Sequence, residues 1–314
     1  MSKKLKIIYM GGGPSYTIEP LKRLIESRHE VICIYAKKPK PSGRGRKIKN
    51  SPLIDFAKKS NLKYRVPENF KDKKEIDFLK RFKADLFLVF SYGIILPEKV
   101  LDIPKYGCIN IHASILPKWR GPSPVQYALL NNEKKTGFTF MKMNMGIDTG
   151  DILYSKEIQI AKEDNTVSLL NKISLLSGEF LIEILDLYIN KKIFPVAQDE
   201  SEATYSYKIK KEDAFLNFAE PALSVFGKIR AFYPNPSAKC TIKGETVKII
   251  DAEVINKVNK FNDIGITLDN QLLVSCKVGT IRLTKIQRQG KKAMDAKVAL
   301  NGWKIKEGTI ISGK

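Results

Sequence analysis

Residues 84–93 read Ala-Asp-Leu-Phe-Leu-Val-Phe-Ser-Tyr-Gly. Five apolar side chains, Leu86 to Phe90, run without a polar break. A strand with one wet face alternates apolar and polar residues, whereas a strand covered on both faces does not. The run therefore predicts a central strand of a parallel sheet. Working outward, residues 5–10, 31–35, 64–66 and 108–111 predict further strands. Residues 15–26, 53–59 and 76–82 have helical spacing between them. Strands alternating with helices predict an α/β, doubly wound, mostly parallel sheet. Two more strands are expected at 139–143 and 152–158, then one long amphipathic helix at 166–189. Ligands of such sheets bind beyond the carboxyl ends of the strands, where the strand order switches. Residues 91–93 and 110–112 fall at such ends.

The pattern changes further along. Residues 197–207 are polar and acidic, without apolar periodicity, and read as a linker. Short alternating runs follow at 237–242, 246–254, 265–268, 271–277 and 280–287, with one helix before them at 221–232. They predict a small antiparallel, OB-like β-barrel. The expected organisation is a catalytic domain over 1–196, the linker over 197–207, and a second domain over 208–314. The segment from Ser206 to Lys314 holds twenty Lys or Arg against ten Asp or Glu. A basic five-stranded barrel suits nucleic acid or oligosaccharide.

The 314 residues carry a net charge of +22, which favours a polyanionic partner, most plausibly nucleic acid. A genome of biased base composition would also enrich Lys, Ile and Asn, so position matters more than the total. Residues 36–50 hold Lys37, Lys38, Lys40, Arg44, Arg46, Lys47 and Lys49 with no acid. Pro39, Pro41, Gly43 and Gly45 interrupt them, so the stretch is expected as an exposed cationic loop. No run approaches the ~20 apolar residues that span a bilayer, and the start of the chain reads as a strand rather than a leader. Cys33, Cys108, Cys240 and Cys276 are scattered, which argues against a zinc site and a disulfide framework. A reducing cytoplasm, no membrane and a monomer are the expectations.

His112 is one of two histidines. It lies two residues after Asn110, so on a strand both point to one face. An amide beside an imidazole can polarise a carbonyl and manage a proton. Asp148 follows in Gly-Ile-Asp-Thr-Gly-Asp, residues 146–151, between glycines that allow sharp turns. The three together suggest acyl-type transfer without a metal. Each also has a plainer reading: a strand-end amide, a core or capping histidine, a turn-capping acid. Tyr92 and Trp119 could be packing groups, and Arg120 could pair with any surface acid. His29 reads as a surface or capping residue. Gly11, Gly12 and Gly13 invite a dinucleotide reading, but the later glycine and the acid after the second strand are missing. Those glycines are expected to allow a tight turn and close approach of a substrate.

Ser-Tyr-Gly-Ile-Ile-Leu-Pro at 91–97, Asn-Ile-His-Ala-Ser-Ile-Leu-Pro-Lys-Trp-Arg-Gly at 110–121 and the 146–151 run resemble the folate-dependent formyltransferases. The resemblance covers essentially the whole chain. It implies a formyltransferase-type Rossmann-like catalytic domain, with Asn110, His112 and Asp148 as the catalytic trio and 10-formyltetrahydrofolate as co-substrate. It implies folate contacts from Ser91, Tyr92, Gly93, Ile94, Ser114, Ile115, Leu116 and Pro117. The Ser-Gly-Arg-Gly-Arg-Lys loop at 42–47 and the basic second domain point, within the family, to initiator methionyl-tRNA as acceptor. Lys40, Arg44, Arg46 and Lys47 would then contact that tRNA. Three departures stand out: Gly-Gly-Gly-Pro where Gly-Thr-Pro is usual, Lys118 where Arg is common, and no Trp between the prolines of 231–238. Two rivals remain, a family member acting on a small amine and a non-catalytic RNA-binding protein. The basic surfaces argue against the first and the intact trio against the second.

Overall fold

The apolar run becomes the centre of a sheet. In the computed structural model, which describes residues 3–39, 41–42, 47–260 and 262–313, the first strands are β1 (Lys6–Gly11) and β2 (Glu30–Ala36). β3 (Pro41–Ser42) and β4 (Lys47–Ile48) pair only with each other. Then come β5 (Tyr64–Arg65), β6 (Leu86–Phe90), β7 (Cys108–His112), β8 (Lys135–Lys142) and β9 (Ile152–Gln159). The main sheet has the order β5-β2-β1-β6-β7-β8-β9. The pairs from β5 to β7 are parallel, and β8 joins β7 antiparallel. Strand order reverses between β1 and β6, so the carboxyl ends of those strands flank a switch point.

All five residues of β6 are buried, as are all five of β7. Ile8, Met10, Tyr35, Phe87, Val89 and Cys108 form one core face, packed by Ile76, Leu79, Val100 and Leu101. Those four come from α3 (Lys73–Arg81) and α4 (Glu98–Leu101), which follow α1 (Ile18–Glu26) and α2 (Pro52–Lys59). The alternate residues Ile7, Tyr9, Leu86, Leu88 and Ile109 are buried on the opposite face. The Tyr9 hydroxyl donates to the Thr17 carbonyl there. Each such apolar side chain contributes roughly 1.5–3 kcal/mol of burial, which is why the alternation disappears.

The chain divides into two compact units: Met1–Pro124, Thr136–Gln159 and Leu170–Ser206 in the first; Val125–Lys135, Ile160–Leu169 and Tyr207–Lys314 in the second. α5 (Pro124–Leu130) lies between β7 and β8, and α6 (Thr166–Ile189) follows β9. Asn165 caps α6, its side-chain oxygen accepting the Val167 and Ser168 N–H groups. The second unit contains α7 (Ala222–Phe232), β10 (Lys239–Ile242), β11 (Glu245–Lys260), β12 (Leu273–Ser275), β13 (Val278–Gln287), β14 (Met294–Asp295), α8 (Ala296–Asn301) and β15 (Ile311–Ser312). Its antiparallel sheet has the order β12-β13-β11-β10-β15 and curls over Val225, Phe226, Ile229 and Trp303. Residues 265–268 form no regular strand, yet they hydrogen-bond to both outer strands' segments. Gly265 and Leu268 donate to Ser275 and Leu273, while Ile311 and Gly308 donate to Gly265 and Thr267. This is the OB-like architecture expected for the basic segment. Among the described residues no helix is long and apolar enough to cross a membrane.

One local reading changes, that of His29, and two gain detail. The cationic stretch is not wholly irregular, because Pro41 and Ser42 pair with Ile48 and Lys47. His29 is not a surface residue: it is 5% exposed, and its Nδ1 accepts the Leu5 N–H at 3.2 Å, just before β1 begins. The glycines after β1 admit the chain's own backbone. Gly12 N–H donates to the Phe90 carbonyl at 3.3 Å, and a Cβ on Gly12 would stand 1.8 Å from the Ser91 carbonyl oxygen.

Gly12→Ala should therefore cost about 1–3 kcal/mol through overpacking, read as a lower denaturation midpoint in urea. His29 provides a pH test. Burial, helped by Arg28 and opposed by Asp186, holds its pKa below the usual 6.5. A depressed folded-state pKa means the unfolded chain binds the proton more readily, so this stability is present above about pH 6.5 and lost as pH falls below it. His29→Gln keeps an acceptor for Leu5 and should flatten the acid-side decline when unfolding is compared at pH 7.5 and 5.5.

Candidate active site

Asn110 and His112 lie on one pleat face at the carboxyl end of β7, opposite Met141 and Thr139 of β8. They are 8% and 5% exposed. A buried amide and imidazole in an apolar strand are costly unless partnered. His112 meets that cost through Nε2, which lies 3.0 Å from the Trp119 carbonyl oxygen and so carries the donated hydrogen. Nδ1 then faces Asp148, 3.6 Å from Oδ2. That separation is an ion pair when Nδ1 is protonated rather than a direct hydrogen bond. The same Oδ2 accepts the Gly121 N–H at 2.8 Å. Asp148 and His112 are thus both held by the turn at 119–121. The carboxamide of Asn110 makes no hydrogen bond to another described residue.

That turn is under backbone strain. Trp119 has φ +59° and Asp148 φ +53°, left-handed values that cost of order 1–3 kcal/mol each outside glycine. The segment 198–206 holds them. Arg120 N–H donates to the Thr204 carbonyl at 2.9 Å, and Ser206 N–H donates to the Arg120 carbonyl at 2.7 Å. Gly121 has φ +113°, and a Cβ there would lie 2.2 Å from the Ser206 carbonyl oxygen, so only glycine admits the contact. The Arg120 side chain, which from sequence could pair with any surface acid, is itself fully buried and pairs with the exposed Glu200. It forks onto Glu200 with two bonds of 2.8 Å, and its Nε donates to Gln198 Oε1 at 3.0 Å. Gln198 Nε2 in turn donates to the carbonyls of Asp148 (2.9 Å) and Gly150 (2.6 Å). The hydrogen bonds from Arg120 keep the Glu200 carboxyl below the ordinary carboxylate range.

The residues expected to meet folate frame this turn in different ways. Ser114 is buried, and its hydroxyl donates to the Lys118 carbonyl at 2.5 Å. Its carbonyl accepts the Thr139 hydroxyl at 2.8 Å, while Leu116 N–H donates to Thr139 Oγ1 at 3.1 Å. Ile115 and Pro117 stay half-buried between them. Ser91, exposed at the end of β6, exchanges a 3.1 Å hydrogen bond with Tyr16. Gly93 is exposed and Ile94 half-buried. The Tyr92 ring is directed into the core against Phe70, 6.5 Å between centroids, so this residue offers a ligand only backbone. Of the expected tRNA contacts, Lys40, Arg44 and Arg46 lie outside the described residues, and Lys47 falls in β4. Sequence reasoning missed Gln198 and Glu200. Their stretch has no periodicity, and its partners are 48 to 80 residues away.

An amide, an imidazole and a carboxylate thus stand at the rim of the first unit's α/β sheet. The Formyl transferase family model matches residues 5–185, and the Formyl transferase C-terminal domain model matches 208–304. The chain belongs to the formyl transferase family. It is 39% identical over 297 residues to a methionyl-tRNA formyltransferase of Thermodesulfovibrio yellowstonii, covering 95% of this chain and 96% of that one. It is 38% identical to the methionyl-tRNA formyltransferase of Pelagibacter ubique, with 98% of both chains covered. Among solved structures it is similar in fold to WlaRD, a sugar 3N-formyl transferase crystallised in the presence of dTDP and 5-N-formyl-THF. The TM-score is 0.67 at 21% identity, over 92% of this chain and 100% of that one. A methionyl-tRNA formyltransferase from Clostridium thermocellum gives a TM-score of 0.54 at 19% identity, over 79% and 93%.

Proposed function

We infer that this chain transfers the formyl group of 10-formyltetrahydrofolate to the α-amino group of methionine carried on initiator tRNA. The observation that carries the reading is the convergence of Asn110, His112 and Asp148 at the switch-side rim of the sheet, with His112 and Asp148 3.6 Å apart. Relatives matched over nearly the full length carry that activity in their names. The setting of such a reaction is the cytoplasm, and the reading assigns no step to a metal.

An α-amino group has an ordinary pKa near 7.7–8.0, so a useful fraction is neutral at physiological pH and can attack. Asn110 donates its side-chain N–H to the formyl oxygen as that oxygen gains negative charge. His112 presents Nδ1, the nitrogen that Trp119 leaves unengaged, and a proton there adds positive charge beside the reacting carbon. Asp148 pairs with that nitrogen and accepts, directly or through water, the proton that the amine releases. His112 then returns a proton to the departing folate nitrogen. Ser91, Gly93, Ile94, Ile115 and Pro117 would border the donor through backbone and exposed side-chain surface. Lys40, Arg44, Arg46 and Lys47 would meet the acceptor's phosphates, whose contacts make binding salt-dependent.

The deciding assay supplies 10-formyltetrahydrofolate with charged initiator and elongator tRNAs side by side and follows released tetrahydrofolate; no transfer to the initiator would sink the reading. Asn110→Ala should lower the rate by about 10²–10³-fold with unchanged tRNA affinity, and a variant keeping half its activity removes Asn110 from the mechanism. Arg44→Ala should weaken use of tRNA and soften its salt dependence. An equal defect with a minimal small-amine acceptor would contradict that role.

A further inference from the structure

Neither Gln198 nor Arg120 faces the reacting atoms as a donor or acid, yet both are wired to the loop that carries Asp148. The chain of contacts is continuous. Glu200 holds both terminal nitrogens of Arg120 at 2.8 Å, Arg120 Nε holds Gln198 Oε1 at 3.0 Å, and Gln198 Nε2 holds the Asp148 and Gly150 carbonyls at 2.9 and 2.6 Å. Every link is a short hydrogen bond between side chains or from side chain to backbone. The Gln198 amide has its oxygen on Arg120 and its nitrogen on two carbonyls, so it cannot rotate without breaking three bonds. The guanidinium has no exposed surface, and a planar fork of this kind matches a carboxylate in only one orientation.

The clamp acts on a left-handed stretch of backbone. Asp148 sits at φ +53°, and a non-glycine residue relaxes from that region unless its surroundings over-determine it. On the other side of the same site, Ser206 Oγ donates to the Trp119 and Arg120 carbonyls at 3.4 and 3.2 Å. The Trp119 carbonyl is the acceptor that orients His112. One segment, residues 198–206, therefore sets the backbone behind both His112 and Asp148. Its side-chain bonds span 48 to 87 residues of sequence, so nothing local would rebuild them once broken.

We propose that Gln198 and Arg120 are positioning residues for formyl transfer, fixing the Asp148 loop so that its carboxylate faces His112 Nδ1. The proposal rests on the formyl-transfer reading and names residues that reading does not use. Gln198→Met keeps the side chain's length and removes its donor and its acceptor. The expected result is a kcat about 10–100-fold lower, because a misplacement near 1 Å can cost that much. KM for the folate donor and for charged tRNA should change less than about threefold, and the pH profile of kcat should move. Arg120→Lys keeps the charge but cannot bond Gln198 and both Glu200 oxygens together, so it should behave alike. Ser201→Ala is the control, since that hydroxyl donates only within the segment, to Asp199 at 2.7 Å; its activity and thermal midpoint should match the wild type.

A Gln198→Met enzyme with wild-type kcat and pH profile overturns the proposal. So does a loss that appears as raised KM with an unmoved pH profile. Should Gln198→Met fold poorly, Glu200→Gln tests the same chain by weakening the hold on Arg120, and full kcat there is equally fatal. An active wild type with active variants rejects the positioning role alone. A wild type that transfers no formyl group to methionyl-tRNA rejects the functional reading and the positioning role with it.

Discussion

A strand buried on both faces makes each polar side chain it carries costly. β6 and β7 obey that constraint in this protein, with every residue of both strands buried. Asn110, in the middle of β7, and His112, its last residue, are the polar residues β7 retains. The apolar sheet thus carries both of the proposed catalytic side chains on one strand. The amide and the imidazole sit on a fully buried strand, while the carboxylate comes from a loop.

The loop-borne member has to be held by other means. Asp148 has a left-handed backbone, its carboxylate is met by the Gly121 N–H, and its carbonyl is met by Gln198. The charge that organises this, Arg120, is fully buried and would be expensive to bury without its bidentate carboxylate. Strain at Trp119 and Asp148 and compensation from 198–206 are two sides of one arrangement: a site loop pinned in an unfavourable shape by bonds from far along the chain.

The second unit follows a different logic. Its antiparallel sheet is curled, with residues 265–268 bonded towards both outer strands, and it closes over a core of its own that includes Val247, Ile249, Ile281 and Trp303. Twenty basic residues against ten acidic ones over 206–314 leave a surplus of cations. Such a surplus suits a polyanionic acceptor such as tRNA, and would steer it by long-range attraction more than by individual contacts.

The uninterrupted run at 86–90, the alternation after 237 and the 166–189 period were enough to specify both folds, because hydrophobic patterning is local and repeats within a few residues. The spacing of Asn110 and His112 placed them on one face for the same reason. Neither the fork of Arg120 onto Glu200, nor the hold of Gln198 on Asp148, nor the burial of His29 under Leu5 could be read that way. In each, one partner lies 24 or more residues from the other. Contacts at such separation leave no period in the chain. They exist only once the sheet has closed and brought the ends of its strands and loops together.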